Sequence, residues 1–271
     1  MALSTRKIAS FRKKIYSHYG AHKRIFPWRQ TRNPYFILVS EVMLQQTQVD
    51  RVIPYYQNFI KKFPTLTVLS NASLGEVLRT WSGLGYNRRA RYLKEMAKIV
   101  AKKYKGKIPQ EEKLLLTLPC IGRATAAAVR AFAWNLPSLY LDTNVRSVFL
   151  HEFFPRRRKV DDTEIEKLLV LTCDMKNPRD WYYALLDYGA MIKKTHGNPN
   201  KRSAHYSPQS VFKGSLRELR GKILKILITK QKISKRDLFY ILGDDPRLEK
   251  LLKTLEKEAF VKITPTSVSL A

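Results

Sequence analysis

Cysteine is scarce in this sequence, and the two cysteines present cannot form a structural metal site. Cys120 and Cys173 lie far apart in a chain of 271 residues and make no CxxC pair, which excludes a zinc ribbon and a four-cysteine iron–sulfur cluster. No ligand spacing appears among the five histidines either, at positions 18, 22, 151, 196 and 205. We therefore expect two reduced thiols in an intracellular protein, and no bound metal or other cofactor.

Long apolar runs are also missing. No uninterrupted apolar stretch reaches the roughly 20 residues that a membrane-spanning helix needs. The N-terminal residues MALSTRKIASFRKK are basic but lack the apolar core of a secretory signal. We therefore expect a cytoplasmic protein without a membrane partner.

Acidic residues are few compared with basic ones. The chain has 22 Asp and Glu against 51 Lys and Arg, which gives a formal net charge of +29 and a pI near 10.2. A small soluble domain usually carries a net charge of only about 2 to 8 in magnitude, so an excess of this size indicates a polyanionic partner. Nucleic acid is the leading candidate for that partner.

The hydrophobic pattern predicts a mainly α protein with a small α+β unit at its C-terminal end. Residues 1–194 are predicted to form a helical domain, because helical periodicity dominates there and the connections are short. Residues 195–214 are polar and rich in turn formers, which is typical of a linker. In residues 215–271, three helical stretches precede two short alternating segments, FVKI and SVSL, and this order predicts a winged helix.

Residues 118–128 read LPCIGRATAAA, a tight turn followed by the alanine-rich start of a helix. The first backbone N–H groups of such a helix are free and its dipole favours an anion, so a DNA phosphate can bind there without a charged side chain. The alternative is a packing hairpin whose alanines let two helices approach closely. The stretch taken alone favours the packing hairpin.

Two carboxyl groups could form a site that cleaves a glycosidic bond. Glu41 lies in ILVSEVMLQQTQV, where helical spacing surrounds it with apolar neighbours that would raise its pKa and keep it protonated. Asp142, in LYLDTNVRSV, precedes a helix. Each has an ordinary alternative, a salt-bridged helix residue for Glu41 and an N-cap for Asp142. Glycosidic cleavage typically needs one carboxyl that donates a proton and one that stabilises the cationic sugar.

Several motifs together resemble the helix-hairpin-helix (HhH-GPD) superfamily of DNA glycosylases, and within it the A/G-specific adenine DNA glycosylases of the MutY family. The resemblance covers about residues 22–192. It implies a two-lobed helical fold, with a six-helix lobe at about 30–138 and a second lobe from 1–29 plus 139–194. The motifs occur in the order FPWRQTRNPY, SEVMLQQTQV, WSGLGYNRRAR, LPCIGRATAAAV and LDTNVRSV.

The resemblance implies a role for each residue of these motifs. Glu41 would protonate the adenine, Asp142 would face the oxocarbenium-like sugar, and Asn144 would help to orient that site. The target base would be flipped out of the duplex, because its glycosidic bond is inaccessible within the stack. The base pocket and the wedge beside the opposite base would be formed by Arg29, Leu44, Gln46 and Tyr86.

The hairpin would grip the DNA backbone, and the family leaves room for a monovalent cation in it. We expect double-stranded DNA with a mispaired or damaged base as the partner, contacted by a monomer associated with the nucleoid. The hairpin residues are Pro119, Cys120, Ile121, Gly122, Arg123, Ala124 and Thr125.

The chain departs from family patterns at four points. Ala124 stands where bifunctional relatives carry a lysine nucleophile, which argues against strong abasic-site lyase activity. Cys120 replaces the glycine usual in the hairpin. No four-cysteine iron–sulfur loop follows GAMI, and the C-terminal region does not resemble the Nudix-like domain that reads 8-oxoguanine.

The winged-helix unit offers a second set of DNA contacts. Its third helix is predicted to begin at Pro246 with Asp245 as N-cap. Basic residues recur along one side of it at intervals of three or four, which predicts either a DNA-binding stripe or a solvated face. They are Arg247, Lys250, Lys253 and Lys257.

Three functional hypotheses follow. The first is a monofunctional DNA glycosylase that removes adenine opposite guanine or 8-oxoguanine, which SEVMLQQTQV favours. The second is a uracil or thymine glycosylase acting on U·G or T·G mispairs, which Ala124 leaves open. The third is a non-catalytic winged-helix DNA-binding protein, which the presence of both Glu41 and Asp142 disfavours.

Overall fold

The computed structural model of the protein describes residues 3–271, and it confirms the mainly α fold with a small C-terminal α+β unit. Among those residues no helix is long and apolar enough to cross a membrane. Short 3-10 helices lie at Pro27–Arg29 and Pro199–Arg202. The α-helices are α1 Thr5–His22, α2 Pro34–Leu44, α3 Val49–Lys62, α4 Leu66–Asn71, α5 Leu74–Trp81, α6 Arg88–Lys103, α7 Glu112–Leu115, α8 Arg123–Trp134, α9 Thr143–Glu152, α10 Asp162–Thr172, α11 Pro178–Thr195, α12 Leu216–Lys230, α13 Lys235–Leu242 and α14 Leu248–Lys257. The strands are β1 Lys232–Ser234, β2 Val261–Ile263 and β3 Ser267–Leu270.

The chain divides into two compact units, and each unit contains two separate stretches of sequence. The first unit comprises residues up to 41 and residues 108–208, and the second comprises residues 42–107 and 209–271. The lobes and linker predicted from the sequence stay predictions.

The first unit is built around α9 and α11, which pack closely along their lengths. Gly189 on α11 faces the backbone of Asn144 on α9, and a Cβ at this glycine would overlap the Asn144 carbonyl oxygen. Asn200 holds the other side of α9, because its amide donates to the Thr143 carbonyl (3.0 Å) and to Ser147 Oγ (2.8 Å). The N-terminal turn of α9, which follows Asp142, is therefore fixed from two directions.

The second unit packs α3–α6 against the C-terminal helices and sheet. Arg89 on α6 is buried, and its guanidinium donates to the Val42, Met43 and Gln45 carbonyls at 2.9, 2.7 and 2.7 Å. The last carbonyls of a helix have no partner within the helix, and a cation there is also favoured by the helix dipole. Arg89 thus terminates α2 and holds the loop that follows it.

The C-terminal part of this unit is a winged helix with one strand more than the sequence predicted. The antiparallel sheet has the order β1-β3-β2, with Val268 of β3 opposite both Ile233 and Ile263. The short β1 was not predicted, because its three residues are too few to display alternation.

The predicted start of the third winged-helix helix was wrong by two residues. Asp245 Oδ1 accepts from the Arg247 backbone N–H at 2.9 Å, so Asp245 to Arg247 form a turn and α14 begins at Leu248. A side chain that bonds the backbone two residues ahead offers the chain an alternative to helix. Arg247 is consequently the N-cap of α14.

Candidate active site and DNA-contacting residues

Glu41 lies in the last part of α2 and is half-buried. Its neighbours one turn earlier, Ile37 and Leu38, are 1% and 0% exposed, as the apolar spacing around Glu41 predicts. The Tyr140 hydroxyl hydrogen-bonds the Glu41 carboxyl group. The glutamate thus faces a largely apolar environment that contains one hydroxyl partner.

Burial raises the pKa of Glu41 to about 8, and the nearby Asp142 carboxylate adds to this shift. The Arg29 guanidinium and the Tyr140 hydrogen bond both act in the opposite direction, because they favour the ionised form. At neutral pH the Glu41 carboxyl therefore carries a proton, which is the state that a general acid requires.

Arg29 does not pair with Glu41; it forms a two-point ion pair with Asp187 on α11. Nη1 and Nη2 each lie 2.8 Å from an Asp187 oxygen. The guanidinium also lies over the Tyr183 ring, 4.5 Å from its centroid. Burial raises the pKa of Asp187, but its hydrogen bonds with Arg29 and the charges of Arg29 and Arg24 more than offset this and leave it lowered. The positive charge of Arg29 is thus largely balanced by Asp187 and not by Glu41.

Asp142 is the N-cap of α9. This is the structural role that its position before a helix predicts. Oδ1 accepts from the backbone N–H groups of Asn144 (2.9 Å) and Val145 (2.7 Å), and Oδ2 accepts from the Asn144 side-chain amide (3.1 Å). Burial raises the pKa of Asp142, but these backbone hydrogen bonds and the charges of Lys193 and Arg146 oppose that shift. The pKa of Asp142 is therefore raised, but less than burial alone would raise it.

The structure brings Glu41, Asp142, Asn144 and Arg29 together in the first unit. Sequence analysis missed three members of this group: Tyr140, Asp187 and Lys193. Lys193 on α11 donates to Thr143 Oγ1 at 3.1 Å, and burial lowers its pKa while Asp142 opposes that shift. Of these three residues, only Tyr140 could have been found from the sequence nearby, because it lies two residues before Asp142. Asp187 and Lys193 lie some 50 residues after Asp142 in the chain.

The hairpin lies between α7 and α8, and its two sides differ in exposure. The alanines at 126, 127, 128 and 131 are 0–1% exposed and pack inward. Gly122, Arg123 and Ala124 are exposed at the turn. Gly122 is the N-cap of α8 and supplies no side-chain cap. The first backbone N–H groups of a helix have no partner within the helix, and an anion site at a helix N-terminus uses such groups.

Cys120 in the hairpin has a φ of 61°. A residue with a Cβ pays roughly 1 to 2 kcal/mol for this left-handed conformation, which glycine adopts freely. This explains in physical terms why glycine is usual at this place in the family that the sequence resembles. Of the other hairpin residues, Pro119 is half-buried, while Ile121 and Thr125 are buried.

The predicted wedge residues lie in the second unit, in two loops that Arg89 connects. Gln46 and Tyr86 both have left-handed backbones, with φ of 55° and 50°. Arg89 donates to the Gln45 carbonyl on one side and to the Gly85 carbonyl (3.1 Å) on the other, and its guanidinium lies 5.2 Å from the Tyr86 ring centroid. Leu44, the last residue of α2, is half-buried beside this connection.

The basic residues proposed for the winged helix are all exposed, but they are not equivalent. Lys250, Lys253 and Lys257 lie on α14. Arg247 forms an ion pair with Asp245 (2.6 Å) and donates to the Gly214 carbonyl at 2.8 Å. Its positive charge is therefore partly neutralised within the unit.

Within residues 3–271, no group of three or more His, Cys, Asp or Glu side chains is placed to hold a metal ion. The presence of a cofactor stays a matter of prediction.

The HhH-GPD superfamily of base excision DNA repair proteins matches residues 39–173. Among curated proteins, the chain is 41% identical over 181 residues to an adenine DNA glycosylase of Buchnera aphidicola subsp. Baizongia pistaciae, which covers 65% of this chain and 50% of the relative. It is 35% identical over 233 residues to an adenine DNA glycosylase of Mycolicibacterium smegmatis, which covers 79% of each chain. The chain spans half or less of the first curated relatives it matches, 50%, 49% and 38% of their lengths.

Two solved structures are similar in fold. A thermostable thymine-DNA glycosylase gives a TM-score of 0.63 at 26% identity, over 73% of this chain and 92% of that one. An endonuclease III–DNA complex gives a TM-score of 0.61 at 21% identity, over 72% of this chain and 89% of that one. At that identity the second match bears on the fold alone.

Proposed function

The chain belongs to the adenine DNA glycosylases of the HhH-GPD superfamily, and from this we propose that it is a base excision repair enzyme that removes mispaired adenine from double-stranded DNA. The observation that carries the proposal is the protonated, half-buried Glu41 beside the capped carboxylate of Asp142. Two carboxyl groups in different protonation states are what acid-assisted cleavage of a glycosidic bond requires.

In the proposed reaction the target adenine is flipped out of the duplex and Glu41 gives its proton to a ring nitrogen of the base. The bond between that base and C1′ of the sugar then breaks, and its electron pair leaves with the adenine. The ionised Asp142 stabilises the positive charge that develops on the sugar, and Asn144 holds Asp142 through its side-chain amide. Water adds to C1′ and releases one proton, which restores the protonated Glu41, and the product is an abasic site.

The enzyme is proposed to be monofunctional and to work without an iron–sulfur cluster. Ala124 offers no amine at the hairpin, and two cysteines cannot supply the four thiolates of a cluster. The exposed turn at Gly122 would bind a DNA phosphate, with or without a monovalent cation, and the net charge of +29 suits a polyanionic partner. Its proposed place of action, as a monomer, is the nucleoid.

The alternative substrates are uracil or thymine opposite guanine. The names of the curated relatives favour adenine, and the same names disfavour a non-catalytic winged-helix protein. A solved relative named for thymine is 26% identical to this chain, which is less than the identity of the curated adenine glycosylases described above.

A gel assay tests the function and separates the substrates. End-labelled duplexes carrying A opposite 8-oxoguanine, A·G, U·G or T·G are incubated with the protein and treated with alkali, which cuts at abasic sites. We expect cleavage of the two adenine duplexes only, and none without alkali. Cleavage confined to U·G or T·G would replace adenine by a pyrimidine, and no cleavage of any duplex would refute the glycosylase function.

A further inference from the structure

Tyr86 is held by two side chains of the C-terminal segment. Its hydroxyl accepts hydrogen bonds from Arg217 Nη1 at 2.8 Å and from Gln209 Nε2. Arg217 is itself fixed, because Nη2 donates to the Ser210 carbonyl (2.6 Å) and to Ser210 Oγ (3.2 Å). The phenol group is thus anchored by residues that lie more than 120 positions away in the sequence.

The Tyr86 ring is also flanked by two guanidinium groups. Arg89 lies 5.2 Å and Arg217 5.9 Å from the ring centroid. Arg89 belongs to the helical part of the unit, whereas Arg217 lies at the start of α12 in the winged helix. The ring is therefore held jointly by both parts of the second unit, in a left-handed backbone conformation that a tyrosine adopts at a cost.

A second set of contacts fixes the residues that follow Tyr86. Glu258, at the end of α14, accepts from both Arg88 and Arg220. The Phe260 ring lies under the guanidinium groups of Arg91 (5.7 Å) and Arg220 (4.7 Å). The winged helix is consequently docked on the start of α6, immediately behind the Tyr86 turn.

We propose that Arg217 is a positioning residue for Tyr86, through which the winged helix sets how strictly the enzyme discriminates the base opposite the target adenine. The proposal rests on the proposed function and on the expected place of Tyr86 beside that base. An aromatic wedge that is fixed before DNA binds can accept only those opposite bases whose geometry fits it, whereas a mobile ring adapts to several. Arg217 need not touch DNA to have this effect.

The test measures single-turnover adenine release from duplexes with 8-oxoguanine, guanine or cytosine opposite the adenine. Arg217→Ala should reduce the preference for the best over the worst opposite base by roughly tenfold, the value of one hydrogen bond from a charged donor. Arg217→Lys, which keeps the charge but lacks the planar fork, should give an intermediate preference. Arg236→Ala removes one exposed positive charge from the same winged helix and should leave the preference unchanged.

The variant Tyr86→Phe tests the same hydrogen bond from the other side, because it removes only the hydroxyl to which Arg217 donates. We expect Tyr86→Phe to reduce the preference by itself, and Arg217→Ala to add less than about twofold to it, since contacting residues are not additive. Fully additive effects would overturn the proposal, as would an Arg217→Ala variant that slows all duplexes equally and lowers the salt dependence, the behaviour of a phosphate contact. If the wild type releases no adenine from any duplex, the proposed function fails; if it does and the preference is unchanged in Arg217→Ala, only the positioning role fails.

Discussion

Replacing Glu41 with glutamine should abolish base release and, at the same time, stabilise the folded protein above acidic pH. The amide keeps the volume of the carboxyl group but neither donates the catalytic proton nor ionises. The stabilising effect follows from the pKa of Glu41, which burial raises from an ordinary 4.5 to about 8.

The magnitude follows from proton linkage. Below pH 4.5 the carboxyl group is protonated in both the folded and the unfolded chain, so the raised pKa costs nothing. Between pH 4.5 and about 8 the unfolded chain releases this proton while the folded protein retains it, and stability falls by about 1.4 kcal/mol per pH unit. Relative to pH 4.5, the free energy of unfolding of the wild type is therefore lower by about 3 kcal/mol at neutral pH and by about 5 kcal/mol at about pH 8, the pKa of Glu41 in the folded protein. Glutamine avoids this loss.

Urea unfolding followed by tryptophan fluorescence measures the difference at about pH 5, 7 and 9. The gain of Glu41→Gln over the wild type should be small at the lowest pH and should grow to several kcal/mol at the highest. Glu112→Gln, at an exposed position, is the control and should show no such growth. If Glu41→Gln gains nothing as the pH rises, the carboxyl group is ionised in the folded protein, and Glu41 cannot be the general acid.

Two further substitutions test the surroundings of the site. Tyr140→Phe removes a hydroxyl that lowers the pKa of Glu41. In a plot of the base-release rate against pH, the loss of activity at alkaline pH should therefore move to higher pH. An unchanged profile would mean that the hydroxyl does not affect the pKa of Glu41. Gly189→Ala forces a Cβ against the Asn144 carbonyl and should cost at least about 2 kcal/mol and most of the activity. Gly20→Ala, a helical glycine with open space around it, should stabilise by about 1 kcal/mol at full activity; equal melting temperatures for the two variants would refute the close approach.

Local signals in the sequence were sufficient for most of the helices and for the helical surroundings of both carboxyl groups. Asp142 precedes a helix and caps it, as its position predicts. The glycines at 83 and 85 interrupt the helical pattern, and both have positive φ between α5 and α6. The two strands after α14 follow from their alternation. In each case the physical cause lies within a few residues of its effect, which is why a pattern can reveal it.

The contacts around the site and around Tyr86 that sequence analysis missed join distant residues. The partner of Arg29 is Asp187, 158 positions later, and the Tyr86 hydroxyl is bonded by Arg217, 131 positions later. The role of Arg89 could not be predicted from the sequence either. A buried arginine that caps the end of another helix cannot be distinguished in the sequence from any other basic residue on a helix. Such pairings are decided by packing, and one sequence contains no local trace of them.

The two carboxyl groups differ because of where each lies on its helix. Asp142 precedes the first turn of α9, where unpaired backbone N–H groups and the positive end of the helix dipole stabilise a negative charge. Glu41 lies inside α2, whose backbone N–H groups are used within the helix, and the groups that favour its charge are the Tyr140 hydroxyl and Arg29, which is already paired with Asp187. The capping role of Asp142 is therefore compatible with the role proposed for it, because the hydrogen bonds that make it a cap also oppose the rise in its pKa that burial causes. A helix start and a position within a helix thus give two neighbouring carboxyl groups different surroundings, and only the first supplies backbone N–H donors to the negative charge.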